Sequence, residues 1–559
     1  MEQRPWTKNY DDGVPEEVEI PDYPIFKFLE LTAEKYPDKA CTIFKGAEIS
    51  YAEMNELTDR LAAGFNSIGI SKGDRVGMYI PNTPQFVIVY YALLKLGAVV
   101  VATNPLYTER EIIHQANDSG METMILMTNN YEKIKAIQNQ TKIKQIVATN
   151  LKEALPPLLG FLFGLTKEKK GGFRVTLRDN DVWMQDLIEK FKPEDRPKIE
   201  VGMDDTALFQ YSGGTTGPSK GVVASHRGLV SNMYQLAAWN TTDVEGEEVT
   251  LMAIPLFHAY GMVVGMNQGV MRASTLVMVP DPRNTKDVLD TIQKYKATIF
   301  PGVPAMYNAI NNFPDVIAGK YDLSSIKYCI SGSAALLRET KDTFEELTGG
   351  SLVEGYGLSE APVASLAGPL QGKNLPGSIG LPLPGVDCRI VDLDDEVTDL
   401  AQGEIGELLI RGPHVMKGYH NMPGETANAL RDGWLYTGDI VYMDEEGYFF
   451  IVDRKKELIK PGGFQVWPRE VEEVIQEHPK VMEVGVAGIP DAKSGEAVKA
   501  WIVLKDGEES SLEEIREYCK QHLAAYKVPK QVEFLDELPK STVGKILRRE
   551  LVRLDKDSE

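Results

Sequence analysis

The sequence predicts an α/β fold: a large N-terminal domain of α/β subdomains with a small β subdomain, then a smaller α+β C-terminal domain. Three observations predict it. Short apolar runs alternate with helix-spaced segments as far as Leu347. From about residue 380 the texture changes to brief β-like pieces, and after Arg454 a helix and strand pattern restarts. A chain of 559 residues is also too long for one ordinary core.

The elements follow in order. Residues 75–80 read as a strand, Thr83 caps a helix opened by Pro84 and closed near Gly97, and 98–102 is a short buried strand. Residues 207–210 read as a strand, and Ser225 caps a helix with Leu229, Val230, Met233, Leu236 and Ala237 at helical spacing. The uncharged stretch 251–271 is long enough to span a bilayer, but Pro255, His258, Asn267 and Gln268 make it a buried strand and following helix. Strand–turn–helix order returns at 297–300 with a helix over 304–310, and at 326–330 with a helix through Leu347. Such units in series predict largely parallel sheets. The β-like pieces are 388–391, 405–411 and 448–452; a helix over 471–477 and a strand over 483–488 come next. The boundary falls after Arg454, giving domains 1–454 and 455–559.

Composition narrows the function. With 43% hydrophobic and 25% charged residues the chain is globular, and its net charge of −22 argues against nucleic acid as a partner. Anionic ligands must then be captured by local basic or glycine-rich sites. Cys41, Cys329, Cys388 and Cys519 lack metal or disulfide spacing, and the N-terminus lacks a signal-like apolar stretch, so a cytoplasmic location is expected. Residues 155–165 are apolar, too short to span, opened by Pro156-Pro157 and followed by Lys167, Lys169 and Lys170. A surface loop with a packed apolar side is preferred there over a peripheral contact of 155–170 with the inner face of a membrane.

The sharpest signal is Tyr211-Ser212-Gly213-Gly214-Thr215-Thr216-Gly217-Pro218-Ser219-Lys220-Gly221 between a strand and a helix. Glycines let backbone approach an anion, and successive N–H groups with hydroxyls cradle phosphate oxygens. The usual NTPase loop places Ser or Thr after its lysine; here Gly221 follows Lys220.

This loop resembles the signature of the adenylate-forming superfamily, which comprises acyl-CoA synthetases, luciferases and peptide-synthetase adenylation domains. Further motifs follow in that superfamily's order: Pro255-Leu256-Phe257-His258-Ala259-Tyr260-Gly261, Glu354-Gly355-Tyr356-Gly357-Leu358-Ser359-Glu360, Tyr436-Thr437-Gly438-Asp439, Asp453-Arg454-Lys455-Lys456-Glu457-Leu458-Ile459-Lys460 and Pro539-Lys540-Ser541-Thr542-Val543-Gly544-Lys545.

The resemblance implies ATP, Mg²⁺ and CoA as ligands and an acyl-adenylate as intermediate. It assigns the nucleotide to Ser212–Gly217 and Lys220, to Ser333 and Ala334, to Glu354, Gly355, Tyr356, Gly357 and Ser359, and to Asp439, Arg454 and Gln465. Tyr356, between glycines on a turn, is expected to stack on adenine, and Asp439 with Arg454 to hold the ribose. Glu360 and Thr216 are implied for the metal. Lys545 would touch both anions as carboxylate attacks the α-phosphate, with Thr216 and His258 beside it. His258, Tyr260 and Val303 would wall the acyl pocket. A mobile C-terminal domain hinged at Lys456 would exchange Lys545 for Lys460, with Gly462 and Gly463 passing the pantetheine arm.

The run from Asp432-Gly433-Trp434 through Phe464-Gln465-Val466 resembles bacterial long-chain fatty acid–CoA ligases most closely, so a medium- or long-chain fatty acid is expected. An aryl (coumarate-type) CoA ligase, an enzyme loading a carrier protein, and a non-catalytic fatty acid-binding or uptake protein remain alternatives. Oligomeric state, a homodimer included, stays open.

Overall fold

The apolar runs do pair, and they pair in parallel. In the computed structural model, which describes residues 4–211, 219–461, 464–491, 494–541 and 545–558, Arg75–Tyr79 lies between Val99–Ala102 and Thr123–Met127, parallel to both. Buried valines and methionines on both faces suit strands covered by helices on either side. Pro84 opens the helix Pro84–Lys95, which is buried along its whole length. Such a helix needs its polar groups met, and Asn267 meets two: it donates to the Tyr90 hydroxyl (3.0 Å) and accepts from Tyr91 (2.9 Å). The sheet continues through Thr206–Tyr211 to Gly221–Ser225, the strands on either side of the glycine-rich loop.

A second sheet changes character midway. Val249–Met252, Ile299–Gly302, Tyr328–Ser331 and Ser351–Leu358 run side by side in parallel. Ser351–Leu358 then pairs antiparallel with Ala361–Ala367, and Ser378–Pro382, Phe449–Arg454, Trp434–Met443, Gly406–Arg411 and Asp387–Val391 extend the sheet antiparallel. The β-like texture after residue 380 is therefore an antiparallel continuation of a parallel sheet, joined through Ser378–Pro382.

Towards the C-terminus, Val481–Asp491 and Gly495–Leu504 form an antiparallel pair joined in parallel by Gln531–Phe534. The helix Pro468–Gln476 packs on this sheet, and Val471, Ile475, Val484, Val486 and Ile502 build a separate apolar core. The chain is thus a mixed α/β molecule with a large N-terminal and a smaller C-terminal domain.

Two expectations are corrected. Tyr356 lies within the strand Ser351–Leu358, not on a turn, because the register with Ala361–Ala367 carries the motif into the sheet. Residues 155–165 are not a loop with a packed apolar side. Pro157–Thr166 is a helix with no buried residue, opened by a proline whose missing N–H costs nothing in the first turn. Among the described residues no helix is long and apolar enough to cross a membrane, and the four cysteines are buried and free.

Candidate active site

Parallel strands deliver their C-terminal loops to one edge of a sheet, where clefts form. Here Val249–Met252 leads to His258 and Tyr260, Ile299–Gly302 to Val303, and Tyr328–Ser331 to Ser333 and Ala334. The loops are tied together. The Tyr260 hydroxyl donates to the Ile330 carbonyl (2.5 Å) and the Gly302 carbonyl (3.3 Å), and the Gly332 amide donates to Gly302 (3.2 Å). Ser333 adopts a left-handed φ of 71° and is exposed with Ala334, so this loop presents a wall instead of packing inward.

Glu354 is buried and engaged by backbone amides. Its carboxylate accepts from the amides of Leu336 (3.2 Å) and Gly377 (3.2 Å), and burial pushes its pKa up to about 7. The residue braces the Ser333 loop through these amides.

Tyr356, two residues on, points into the junction between the parallel and antiparallel halves. Its hydroxyl donates to Asp439 Oδ2 at 2.6 Å, and Arg454 Nε meets Asp439 Oδ1 at 2.9 Å. The sheet register dictates this, since Asp439 and Arg454 are cross-strand partners in the hairpin Trp434–Met443 and Phe449–Arg454. Asp439 is only 2% exposed, so both its oxygens need donors. The Arg454 guanidinium is held above its ordinary pKa by Asp439, and the Tyr356 phenol is raised by burial and by the same carboxylate.

Lys545 joins the cluster from the C-terminal domain. Burial first, and then the Arg454 charge, bring its pKa down to about 8, while Asp439 and Asp453 act in the opposite sense. Arg548, three residues further on at the start of the helix Arg548–Ser558, contacts Asp453 (3.0 Å), Glu457 and Glu472 (2.6 Å), and so fastens this segment across the predicted boundary.

His258 is neutral: burial lowers its pKa to about 4, and Nδ1 accepts from the Tyr260 amide (3.2 Å), leaving the proton on Nε2. Tyr260 begins a π-helical segment, Tyr260–Asn267, whose Val263, Val264 and Met266 are buried; Val303 is buried nearby in the fold. Glu360, at the hairpin after Leu358, accepts from the Tyr419 hydroxyl at 2.9 Å. Lys220 pairs with Glu425 and lies over the Tyr419 ring at 4.9 Å from its centroid.

The fold therefore gathers Tyr356, Asp439, Arg454 and Lys545, with Ser333, Ala334, His258, Tyr260 and Val303 on adjoining loops. Gly355 and Gly357 flank Tyr356 in the same strand, and Ser359 precedes Glu360. It does not bring in Lys460, whose exposed position is fixed by its amide donating to Glu496 (2.6 Å), nor Gln465, which is exposed. Lys456 lies in the turn Lys455–Glu457; its neighbour Lys455 is anchored to Glu396 (2.7 Å) and Glu407 (2.6 Å). Ser212, Gly213, Gly214, Thr215, Thr216 and Gly217, with Gly462 and Gly463, lie outside the described residues. Sequence reasoning missed Tyr419, Glu425 and Arg548. Each reads as ordinary surface chemistry until the fold places it against a motif residue.

Among the described residues no group of three or more His, Cys, Asp or Glu side chains is placed to hold a metal. Glu360 is a single hard oxygen donor, which fits a divalent ion carried mainly by nucleotide phosphates.

A model of the AMP-binding enzyme family matches residues 29–420, and the model of the AMP-binding enzyme C-terminal domain matches 470–545. The chain is 43% identical over 557 residues to a long-chain-fatty-acid–CoA ligase of Bacillus subtilis (strain 168), covering 98% of each. Among solved structures, ATP-bound MatB from Rhodopseudomonas palustris is 29% identical with a TM-score of 0.84, covering 96% of this chain and all of that one. Apo MatB from the same organism, at the same identity and coverage, gives 0.72.

Proposed function

Because the chain belongs to the AMP-binding enzyme family, we propose that it converts a medium- or long-chain fatty acid to its CoA thioester through an acyl-adenylate. The observation that carries this reading is the convergence of Tyr356, Asp439 and Arg454 with a lysine from the C-terminal domain, Lys545. The name of the Bacillus subtilis relative supports the choice of acid and of thiol.

In the first half-reaction a carboxylate oxygen attacks the α-phosphorus of ATP and pyrophosphate leaves. Two anions must approach, and the Lys545 ammonium lowers that repulsion most as charge gathers on the bridging oxygen. Arg454 and Asp439 orient the ribose, and the walls at Tyr356 and Ser333–Ala334 take the adenine. His258 offers its Nε2 proton to the acyl oxygen as a neutral donor. Glu360, with Thr216, would hold Mg²⁺, which supplies charge neutralisation at the phosphates. The loop Ser212–Gly217 with Lys220 cradles those phosphates; Lys220 exchanges Glu425 for them.

In the second half-reaction the CoA sulfur attacks the acyl carbonyl, its thiol proton is lost, and AMP leaves. We assign this step to a rotation of 455–559 about Lys456 that brings Lys460, Gly462, Gly463 and Gln465 to the cleft. The higher likeness to ATP-bound than to apo MatB supports a pose suited to the first step.

Exchange of labelled pyrophosphate into ATP across a panel of fatty and aryl acids tests the proposal. Long-chain acids should drive exchange, and Lys545→Ala should cut it by about 10²- to 10³-fold while thioester formation from synthetic acyl-adenylate persists. Preference for an aryl acid, or equal loss of both half-reactions in the variant, would overturn it.

A further inference from the structure

The helix Pro157–Thr166 contains no charged residue, and it is built with its bulk facing out. Leu158, Phe161 and Leu165 are 65–70% exposed, and Leu159 and Leu162 are also exposed. Five large apolar side chains thus stand free within eight residues. Its small residues face the body: a Cβ on Gly160 would lie 3.1 Å from the Lys152 carbonyl, so the helix rests closely on 151–155 by that glycine. Phe163 turns back onto Phe173, with ring centroids 5.3 Å apart.

This exposure is held in place from beneath. Buried Glu168 accepts from Asn150 (3.2 Å), Lys152 (2.9 Å) and Arg174 (2.9 Å), and Arg174 also donates to the Gly164 carbonyl (2.9 Å). The two ends of the segment are thereby pinned to the same point, and Leu151, Leu155 and Phe173 pack on the main core. The helix projects from a braced base and is not a loose loop.

Charge identifies the partner. Residues 152–174 carry five basic and two acidic residues in a chain of net charge −22; Glu168 pairs with Lys152 and Arg174, which leaves Lys167, Lys169 and Lys170 against Glu153. Lys167, Lys169 and Lys170 are exposed at the helix's C-terminal end. Ten residues rise about 15 Å, too little to span a bilayer but suited to lying in its interface. An apolar helix rimmed by lysines on an otherwise acidic molecule matches an anionic lipid surface, which takes leucine and phenylalanine among its acyl chains and lysines at its headgroups.

We infer that this helix inserts into the interface of an anionic phospholipid bilayer and docks the protein there. The placement connects to the cleft. Gln85 donates to the Asn150 carbonyl at the base of the segment (3.2 Å), and the same helix, through Tyr90 and Tyr91, holds Asn267 at the end of the π-helical segment that Tyr260 begins.

Vesicle flotation of the full chain, without nucleotide or acid, tests the inference apart from the catalytic reading. Wild type should float with vesicles of phosphatidylcholine containing roughly a third phosphatidylglycerol, and far less with phosphatidylcholine alone. Leu158→Ser with Phe161→Ser should lower partitioning at least about tenfold with unchanged Tm, since both positions are exposed. Lys167→Gln with Lys169→Gln and Lys170→Gln should remove the anionic preference. Failure of wild type to float, flotation undiminished in the serine variant, or self-association that the serine variant abolishes without vesicle binding would each overturn it.

Discussion

In the proposed first half-reaction Lys545 must be charged to counter two anions, yet it sits where charge is disfavoured. Burial and the neighbouring Arg454 place its pKa at about 8, so it is protonated below that pH and neutral above. For the free enzyme, kcat/KM of adenylate formation is expected to be level below pH 8 and to fall about tenfold per unit above it. A pH profile of pyrophosphate exchange checks this, and a level profile to about pH 9.5 would refute it. The Val-Gly-Lys context pointed to this residue in the sequence. Nothing comparable pointed to Arg548, because a basic residue in a basic tail looks solvated until Asp453, Glu457 and Glu472 are seen around it.

Between elements, the hairpin Ser351–Leu358 and Ala361–Ala367 shows why a motif glycine is needed. A Cβ on Gly357 would lie 1.2 Å from the Val363 carbonyl oxygen, inside any possible contact, so Gly357→Ala must part the strands. A loss of more than about 3 kcal/mol is expected by denaturant unfolding, with adenylation falling alongside because Tyr356 and Glu360 flank the site. Arg548 is the corresponding tie between the end of Phe449–Arg454 and the C-terminal helix Arg548–Ser558. Arg548→Ala leaves Asp453 and Glu472 short of their cation and should cost about 2–3 kcal/mol, visible as a lower Tm. Arg548→Lys should restore only part, since lysine cannot fork to three carboxylates. The strands and helices themselves were legible, because apolar runs with Pro and Ser caps specify them locally. The helix at 157–166 is not legible as one that stands free, because an apolar run ordinarily packs, and here it does not.

Across the whole molecule, stability should depend on pH through buried histidines. His226 and His414 are fully buried, and burial lowers both to about 4 from an ordinary 6.5. Between those values the unfolded chain binds a proton that the folded chain refuses, so stability is lost as pH falls below about 6.5. The expected loss is roughly 2 kcal/mol per histidine at pH 5, read by urea unfolding at pH 7 and pH 5. His414→Gln should blunt the dependence; an identical slope in that variant would show that other groups carry it. The sequence identified neither histidine, because burial is a property of the assembled core.

By itself the sequence determined the α/β elements and the superfamily, and it nominated the chemistry-bearing residues, since motif spacing and periodicity are properties of neighbouring residues. Only the tertiary structure decided that Tyr356 and Arg454 share one carboxylate, that Glu354 braces a loop, that Lys545 lies within the field of Arg454 and Asp439 while the Lys460 amide is tied to Glu496, and that an apolar helix stands outside the core. Each of these rests on contacts between residues distant in the chain. Local pattern carries no record of such contacts, because they arise only when sheet register and domain placement bring the residues together.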